Sequence, residues 1–255
     1  MEGIRDKRAG GLEKERRAGS RRWFRLWSRA ASFMAIAFMI TAFWGQACSV
    51  LAGNEGPELE RGGTVELASS SEGGEQEAPA REAALVVERL HSALLGIMKA
   101  GQKGATCRQR YAQIEGVVTE VFDFPLISRI VLGRAWKGLS KEEKERFIAA
   151  FSSMSIATYA KRFKSWNGER FETRQTVPSR RGRLKVKTVL IKADGDEVEL
   201  DYLMHPTPRG YKIVSVIAMG VSDLSLKRVE YAFYLKTHTI DELIARLEEQ
   251  ANECV

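Results

Sequence analysis

The sequence is poor in the residues that carry catalysis and metal binding. Its 255 residues include three cysteines and three histidines, and His91, His205 and His238 lie far apart in no Cys/His ligand spacing. There is no Gly-rich phosphate loop and no nucleophile elbow. The carboxylates fall in turns, on strand faces and in first helical turns, and Asp123, between two phenylalanines, is expected to cap a helix. These absences predict a protein that is not an enzyme and needs no metal or cofactor.

A concentrated basic face is also missing. The formal net charge is +7, but residues 1–52 hold ten Lys/Arg and four Asp/Glu, which leaves thirty basic and twenty-nine acidic residues in the rest of the chain. Nucleic-acid binding needs basic residues clustered on one surface. The best remaining cluster, 180–183 with Lys185 and Lys187, is typical of a solvated loop followed by a strand. We therefore expect no nucleic-acid partner.

The sequence contains only one long hydrophobic run. Ala30–Trp44 carries no charge and follows a basic segment, and its length of about fifteen residues is short of the roughly twenty that span a bilayer. This pattern predicts an export signal peptide over residues 1–52, cleaved after Ala52, and a periplasmic protein. Cys107 and Cys254 then remain in a compartment that permits disulfides. Free buried thiols and a bridge to the C-terminal tail fit the sequence equally well.

The rest of the chain divides into a linker and one folded domain. Residues 53–80 are rich in Gly, Glu and Ser and lack aromatic residues, which predicts a disordered linker. Residues 81–255 form the folded domain, with helical periodicity at both ends. Ser140 followed by Glu143, and Thr239 followed by Glu242, match capping boxes at two helix starts.

Between the helical segments the pattern is that of a β-meander. Three strand-like runs follow one another: Leu184–Ala193, Glu197–His205 and Tyr211–Met219. Asp194-Gly195 predicts a two-residue type I′ turn between the first two runs. Counting from that turn places Val189 opposite Leu200 and Ile191 opposite Val198, all on one apolar face.

The order of elements predicts an α+β fold, with helices before and after a mainly antiparallel sheet. The helices either cover the apolar face completely, which gives an ordinary core, or leave an apolar cavity for a guest molecule. Composition alone does not decide between these two arrangements, because long apolar and aromatic side chains form cores more often than ligand sites.

A set of residues in fixed order carries a family resemblance. In the first half these are Phe122-Asp123, Leu132-Gly133, Trp136, Leu139-Ser140, Phe147, Phe151 and Tyr159. In the second half they are Val186–Ile191, Asp201–Met204, Tyr211–Val214 and Gly220–Ser222. Their order and spacing resemble the MlaC-type periplasmic phospholipid-binding proteins, also called the toluene-tolerance auxiliary family.

Within that family the chain is most similar to the hopanoid-biosynthesis-associated branch. Residues 168–171 and 223–230 suggest this branch, and Lys227-Arg228 stands where phospholipid carriers usually have a Tyr-Arg pair. This departure is compatible with a hopanoid or another polycyclic lipid as the cargo.

The resemblance implies a lipid-binding domain over residues 81–255 without catalysis, in which helices pack on a strongly bent, mainly antiparallel sheet that encloses an apolar cavity. Such a carrier would shuttle a phospholipid or a hopanoid between an inner-membrane transporter and an outer-membrane acceptor protein. A non-catalytic periplasmic adaptor and an enzyme acting on a lipid are the alternatives. We expect the lining on the sheet side to be Val189, Ile191, Leu200, Tyr202, Met204, Ile213 and Ile217. On the helix side we expect Phe151, Met154 and Phe233.

Overall fold

The structure is a computed structural model that describes residues 73–255, which belong to one compact unit. The predicted signal peptide and residues 53–72 of the predicted linker lie outside the described residues. The helices are α1 (Gly73–Gln102), α2 (Cys107–Val121), α3 (Phe124–Leu132), α4 (Lys141–Arg162), α5 (Asp223–Tyr234) and α6 (Ile240–Asn252), with a 3₁₀ turn at Ala135–Gly138. The strands are β1 (Arg170–Pro178), β2 (Leu184–Ile191), β3 (Glu197–Thr207), β4 (Gly210–Ala218) and β5 (Val221–Ser222).

The predicted helix caps are confirmed. Ser140 Oγ accepts a hydrogen bond from the Glu143 amide at 3.1 Å, and the Glu143 carboxylate accepts one from the Ser140 amide at 2.7 Å. Thr239 and Glu242 form the same capping box at the start of α6. Asp123 caps α3 through its Oδ1, which accepts from the Leu126 amide at 3.0 Å. These bonds satisfy amides that a helix start leaves without partners.

Helix α1 corrects the predicted end of the linker. It begins at Gly73, so residues 73–80 are helical rather than disordered, and it includes Pro79. The glutamate and alanine residues of this stretch have high helix propensity, and Ala83, which follows it, is completely buried in the core. Packing of the next turn thus stabilises a segment whose composition alone resembles a linker.

The five strands form one antiparallel meander in the order β1-β2-β3-β4-β5, and the sheet is not closed. Bulges interrupt the register at Arg174 on β1, between Thr173 and Gln175, and at Val214 on β4, opposite Leu203 and Met204. A bulge bends its strand and increases the local twist. The described residues therefore have the expected α+β fold with an antiparallel sheet.

The turn between β2 and β3 differs from the prediction. The Lys192 amide donates to the Asp196 carbonyl at 2.9 Å, and the Gly195 amide donates to the Lys192 carbonyl at 3.0 Å, which makes a three-residue loop. Gly195 has a φ of 90°, whereas Asp194 does not have a positive φ. A type I′ turn needs a positive φ at both central residues. The predicted two-residue turn at Asp194-Gly195 is therefore wrong.

The extra loop residue shifts the pairing of β2 and β3 by one. Leu200 pairs with Thr188, and Val198 pairs with Leu190. Because side chains alternate along a strand, this shift moves Val189 and Ile191 to the face opposite Leu200. Ile217 pairs with Asp201 and shares that opposite face. We call the face with Leu200 the inner face and the face with Val189 the outer face.

Charged side chains on the outer face explain why Val189 and Ile191 are nevertheless buried. Arg174 on β1 pairs with Glu172 at 3.0 Å and with Glu197 on β3 at 2.8 Å. These ion pairs run from β1 to β3 over the intervening strand β2. Long charged side chains can cover apolar neighbours while their charged groups stay in water.

Helices cover much of the inner face. Helix α1 lies against α2 and against β1, β2 and β4, while α4 has its main backbone neighbours in α2, α3 and α6. The junction of α2 and α3 is fixed to β4 because the Asp123 amide donates to the Ile213 carbonyl at 3.0 Å. No helix within residues 73–255 has the length and apolar character needed to cross a membrane.

A disulfide joins the two ends of the helical layer. Cys107 begins α2 and Cys254 follows α6, and their Cα atoms are 5.2 Å apart. Of the two arrangements that fit the sequence, the bridge is therefore the one found. In the chain-entropy model, closing a loop of this length stabilises the folded state by about 5 kcal/mol.

Candidate functional site

Tyr202 lies at the centre of the inner face and organises the candidate site. Its side chain is buried, its cross-strand partners are Val186 and Val216, and Leu200 lies two residues before it on the same face. Val186 is completely buried, whereas Leu200 and Val216 are only partly buried against the core. The inner face therefore changes from sealed to open around this tyrosine.

Helix α1 contacts Tyr202 through His91. The His91 Nε2 and the Tyr202 hydroxyl are 3.0 Å apart in a buried hydrogen bond. The same imidazole stacks on Phe171 of β1, with ring centroids 4.1 Å apart and an angle of 11° between the planes. His91 thus contacts both the buried Tyr202 on β3 and the partly exposed Phe171 on β1.

Helix α4 reaches the site with aromatic side chains. The Tyr159 ring lies 5.9 Å from Phe122 and 6.1 Å from Phe163, measured between centroids. Tyr159 is also close enough to Tyr202 for that residue to contribute to the raised pKa of the Tyr159 hydroxyl. The partly buried residues around Tyr202 form what we call the Tyr202 groove: Tyr159, Phe163, Phe171, Leu200 and Val216.

The titratable groups at the core of the groove are held uncharged. Burial lowers the pKa of His91 to about 4, so its imidazole is neutral at physiological pH. Burial, followed by the nearby Asp223 carboxylate, raises the pKa of the Tyr202 hydroxyl. Burial also raises the pKa of Tyr159 well above its usual range. Because ions are poorly solvated here, this surface suits an apolar guest.

Asp223 supplies the charged edge of the groove. Its Oδ1 accepts hydrogen bonds from Ser215 Oγ at 3.0 Å and from the amides of Val216 at 3.0 Å and Leu224 at 2.6 Å. Loss of solvation still raises the pKa of this carboxyl, although the hydrogen bonds and Lys227 oppose the shift. The carboxylate therefore fixes the start of α5 beside Val216.

Four of the predicted lining residues lie together on one face of the sheet. Leu200, Tyr202, Met204 and Ile213 share the inner face, where Met204 pairs with Ile213. Met204 and Ile213 are completely buried, so they form the floor of the sealed part. Leu200 is the member that remains partly exposed.

The two predicted residues on α4 have a different setting. Phe151 and Met154 are buried, and the Phe151 ring lies 6.3 Å from Phe124 and 6.2 Å from Tyr231. These rings belong to α3 and α5, so Phe151 packs within the helical layer. On α4 it is Tyr159, two turns further along, that approaches Tyr202.

The remaining four predicted residues are not on the inner face. Val189, Ile191 and Ile217 lie on the outer face because of the register shift described above. Phe233 lies exposed on α5 instead of facing the sheet. Helical position explains this difference, because the buried Tyr231 two residues earlier already occupies the inward side of α5.

Five residues of the site were not predicted as part of it, namely His91, Tyr159, Phe163, Phe171 and Val216. Tyr159 belongs to the family signature and to the apolar stripe of α4, which is a signal that could have identified it. His91 precedes Leu94 on α1, at a spacing that places both on the buried face. Phe171 carries no such signal, because β1 has polar residues on both faces and does not have the pattern of a strand.

The described residues also form an open cleft elsewhere. It has a volume of about 350 Å³ and a mainly apolar lining that includes Phe122, Phe124 and Pro125, together with Glu145 and Lys212. Within residues 73–255 no cluster of three or more His, Cys, Asp or Glu residues could hold a metal ion. We take the Tyr202 groove as the candidate site because side chains of α1, α4 and the sheet come together there.

Comparison with known proteins agrees with this fold. No curated protein matches the chain. One solved structure, described as a phospholipid-binding protein from Ralstonia solanacearum in complex with a phospholipid, is similar with a TM-score of 0.59. It is 17% identical, and the match covers 69% of this chain and 98% of that one. The family model described as MlaC protein matches residues 88–249. This chain therefore belongs to the MlaC protein family.

Proposed function

We propose that this protein is a periplasmic lipid carrier that holds the apolar part of a phospholipid or a hopanoid in the Tyr202 groove. The observation that carries the proposal is the row of partly exposed apolar side chains on the inner face, next to ionisable groups that are kept neutral. The fold it shares with a phospholipid-binding protein supports the same interpretation.

The energetics favour tight retention of such a guest. Removing an acyl chain from water is worth about 0.8 kcal/mol for each CH₂ group. Two long chains would therefore leave the protein very slowly without assistance. We propose that an inner-membrane transporter and an outer-membrane acceptor supply that assistance, by opening the groove and receiving the lipid.

The proposed compartment rests on two features of the chain. An uncharged run at Ala30–Trp44 follows a basic segment, as in exported proteins. The Cys107–Cys254 disulfide is of the kind that persists in oxidising compartments such as the periplasm and is rare in the cytosol.

The lining that we propose combines predicted and newly identified residues. Leu200 and Val216 would contact the lipid from the sheet, above the sealed floor of Tyr202, Met204 and Ile213. Tyr159 and Phe163 would contact it from α4. A hopanoid is a candidate for the cargo because Lys227-Arg228 replaces the Tyr-Arg pair of phospholipid carriers and because its rigid rings suit an aromatic lining.

The test is mass spectrometry of the lipids extracted from protein that is purified from its own cells without detergent. The wild type should carry a lipid in a fixed molar ratio, and the spectrum should identify it as a phospholipid or a hopanoid. Leu200→Glu should fold and lose the lipid, because a carboxylate in the groove would be desolvated by the guest.

Ile217→Glu is the matched control, since Ile217 lies on the outer face of the neighbouring strand and is also partly buried. It should keep the lipid. Loss of lipid in Ile217→Glu with retention in Leu200→Glu would place the binding surface on the opposite face and contradict the proposal. A folded wild-type protein without any lipid would favour the adaptor alternative.

A further inference from the structure

Helix α5 carries an apolar stripe on its solvent side. Leu226, Val229 and Phe233 follow one another at intervals of three and four residues, on the side away from the buried Tyr231. Their side chains are exposed to 48%, 71% and 57%. A surface helix normally places polar residues there. We call these three residues the α5 ridge.

The apolar surface continues at the hairpin that precedes the helix. Met219 and Val221 lie between β4 and α5 and are exposed to 56% and 52%. Met219 has a φ of 48° and Gly220 a φ of 79°, and Ala218 pairs with Val221, so these two residues form a type I′ turn. Methionine is strained in this conformation, and strain of this kind concentrates in functional segments.

Basic residues flank the α5 ridge. The Arg228 guanidinium lies over the end of α3, with its Nε 3.8 Å from the point where a Cβ on Gly133 would be. Arg134 follows this glycine in the chain and is exposed. Lys236 Nζ lies 5.6 Å from the centroid of the Phe233 ring. None of these three cations forms a salt bridge with a residue in the described part of the chain.

The acidic residues nearby are already occupied. Glu230 pairs with Lys227 at 2.9 Å and with Arg246 at 3.1 Å. Asp223 accepts the three hydrogen bonds described above, at the groove edge. The charge that remains available beside the α5 ridge is therefore positive.

We propose that the α5 ridge docks on the surface of a bilayer that contains anionic lipids. An apolar helical stripe bordered by Lys and Arg is the arrangement that lies at a membrane interface, because the stripe enters the acyl boundary while the cations meet the phosphates. Asp223 places the start of α5 next to Val216, so docking through this helix would bring the Tyr202 groove towards the bilayer. This role rests on the proposed function, since it gives the carrier direct access to membrane lipid.

The test is flotation of the full chain, purified from its own cells, with two kinds of vesicle. One kind is phosphatidylcholine alone, and the other contains about a quarter phosphatidylglycerol, which mimics an anionic leaflet. The wild type should float with the anionic vesicles, and added salt should weaken this binding. Val229→Glu and Phe233→Glu should each reduce the binding at least about tenfold, since each puts a carboxylate at the acyl boundary.

Two further variants test whether vesicle binding depends on the α5 ridge in particular and on its positive charge. Leu85→Glu is the matched control, because Leu85 is a leucine of α1 that is exposed to a similar 54%, and it should float like the wild type. Arg228→Gln should lower binding to the anionic vesicles and reduce its dependence on salt. All variants should keep a cooperative unfolding transition and their bound lipid.

The outcomes distinguish this proposal from the proposed function. Unchanged flotation of Val229→Glu and Phe233→Glu would overturn docking through the α5 ridge, even if the protein carries lipid. Absence of wild-type flotation, with the same variants disrupting a complex with a protein partner, would also overturn it in favour of a protein interface. Flotation through the ridge by a protein that carries no lipid would support docking and contradict the carrier function.

Discussion

The inner face of the sheet has two parts that are built from the same strands. In one part Val186, Met204 and Ile213 are completely buried beneath the helices. In the other part Leu200 and Val216 pack against the core but stay partly exposed. The sealed part has the burial of an ordinary core, and the open part has apolar area still available. Stability and binding are therefore expected to depend on different residues of one sheet.

The largest expected effect comes from charging the sealed part. Met204→Glu would bury a carboxylate without a partner and should lower the free energy of unfolding by about 4 kcal/mol or more. Leu200→Glu, two residues earlier on the same strand and face, should cost much less because the carboxylate can reach solvent. Urea denaturation followed by circular dichroism measures both. Equal losses in the two variants would show that the inner face is sealed throughout.

The second effect concerns His91, which contacts both parts. The unfolded chain binds a proton with the ordinary pKa of 6.5, whereas burial lowers the folded pKa to about 4. The stabilisation from neutral His91 is therefore fully present above pH 6.5 and is lost as the pH falls towards 4. The difference between the unfolded and folded pKa values corresponds to a loss of about 3 kcal/mol in the free energy of unfolding.

His91→Phe tests this assignment because it keeps a ring against Phe171 and removes the titrating group. Its free energy of unfolding should change less between pH 6.5 and about pH 4 than that of the wild type. The measurement is a series of urea titrations across this range. An identical pH profile in both proteins would assign the pH dependence to other groups.

The smallest effect concerns the helices that seal the core. A Cβ at Gly101, near the end of α1, would lie 2.0 Å from the Lys164 carbonyl oxygen, so the backbone would have to move. Gly101→Ala should therefore cost about 2 kcal/mol. Gly116 on α2 has open space around the same position. Gly116→Ala should stabilise by about 0.5 kcal/mol, because alanine has the higher helix propensity.

Thermal denaturation of the two glycine variants, with lipid content measured in parallel, tests whether the helices that seal the core affect stability without affecting binding. A lower midpoint in Gly101→Ala with unchanged lipid content would assign the end of α1 to stability alone. A gain of stability in Gly101→Ala would contradict the close approach of α1 to Lys164.

Local features were the ones that the sequence predicted well. The caps at Asp123, Ser140 and Thr239 need only residues three positions apart, so a short stretch of sequence contains all the information. The order of helical and strand-like segments predicted the fold class. The family resemblance, based on ordered residues along the whole domain, is confirmed by the match to the MlaC protein family.

Features that depend on exact register or on distant segments were predicted less well. A loop of two residues and a loop of three residues both fit Asp194-Gly195, and the choice between them moved Val189 and Ile191 to the other face. The type I′ turn occurs instead at Met219, a residue that rarely adopts a positive φ. The His91 contacts with Tyr202 and Phe171 join residues 111 and 80 positions apart, beyond any local pattern.

The disulfide divides the described chain into a ring and an arm. The bond between Cys107 and Cys254 closes a covalent circle that holds α2 to α6 and all five strands. Helix α1, which carries His91, lies outside this circle and is joined to it through residues 103–106. Even a fully denatured molecule keeps the circle closed, so refolding must return α1 to a set of partners that never separates completely. The circle can close only after Cys254 has been synthesised, so all five strands are made before the bond that constrains them.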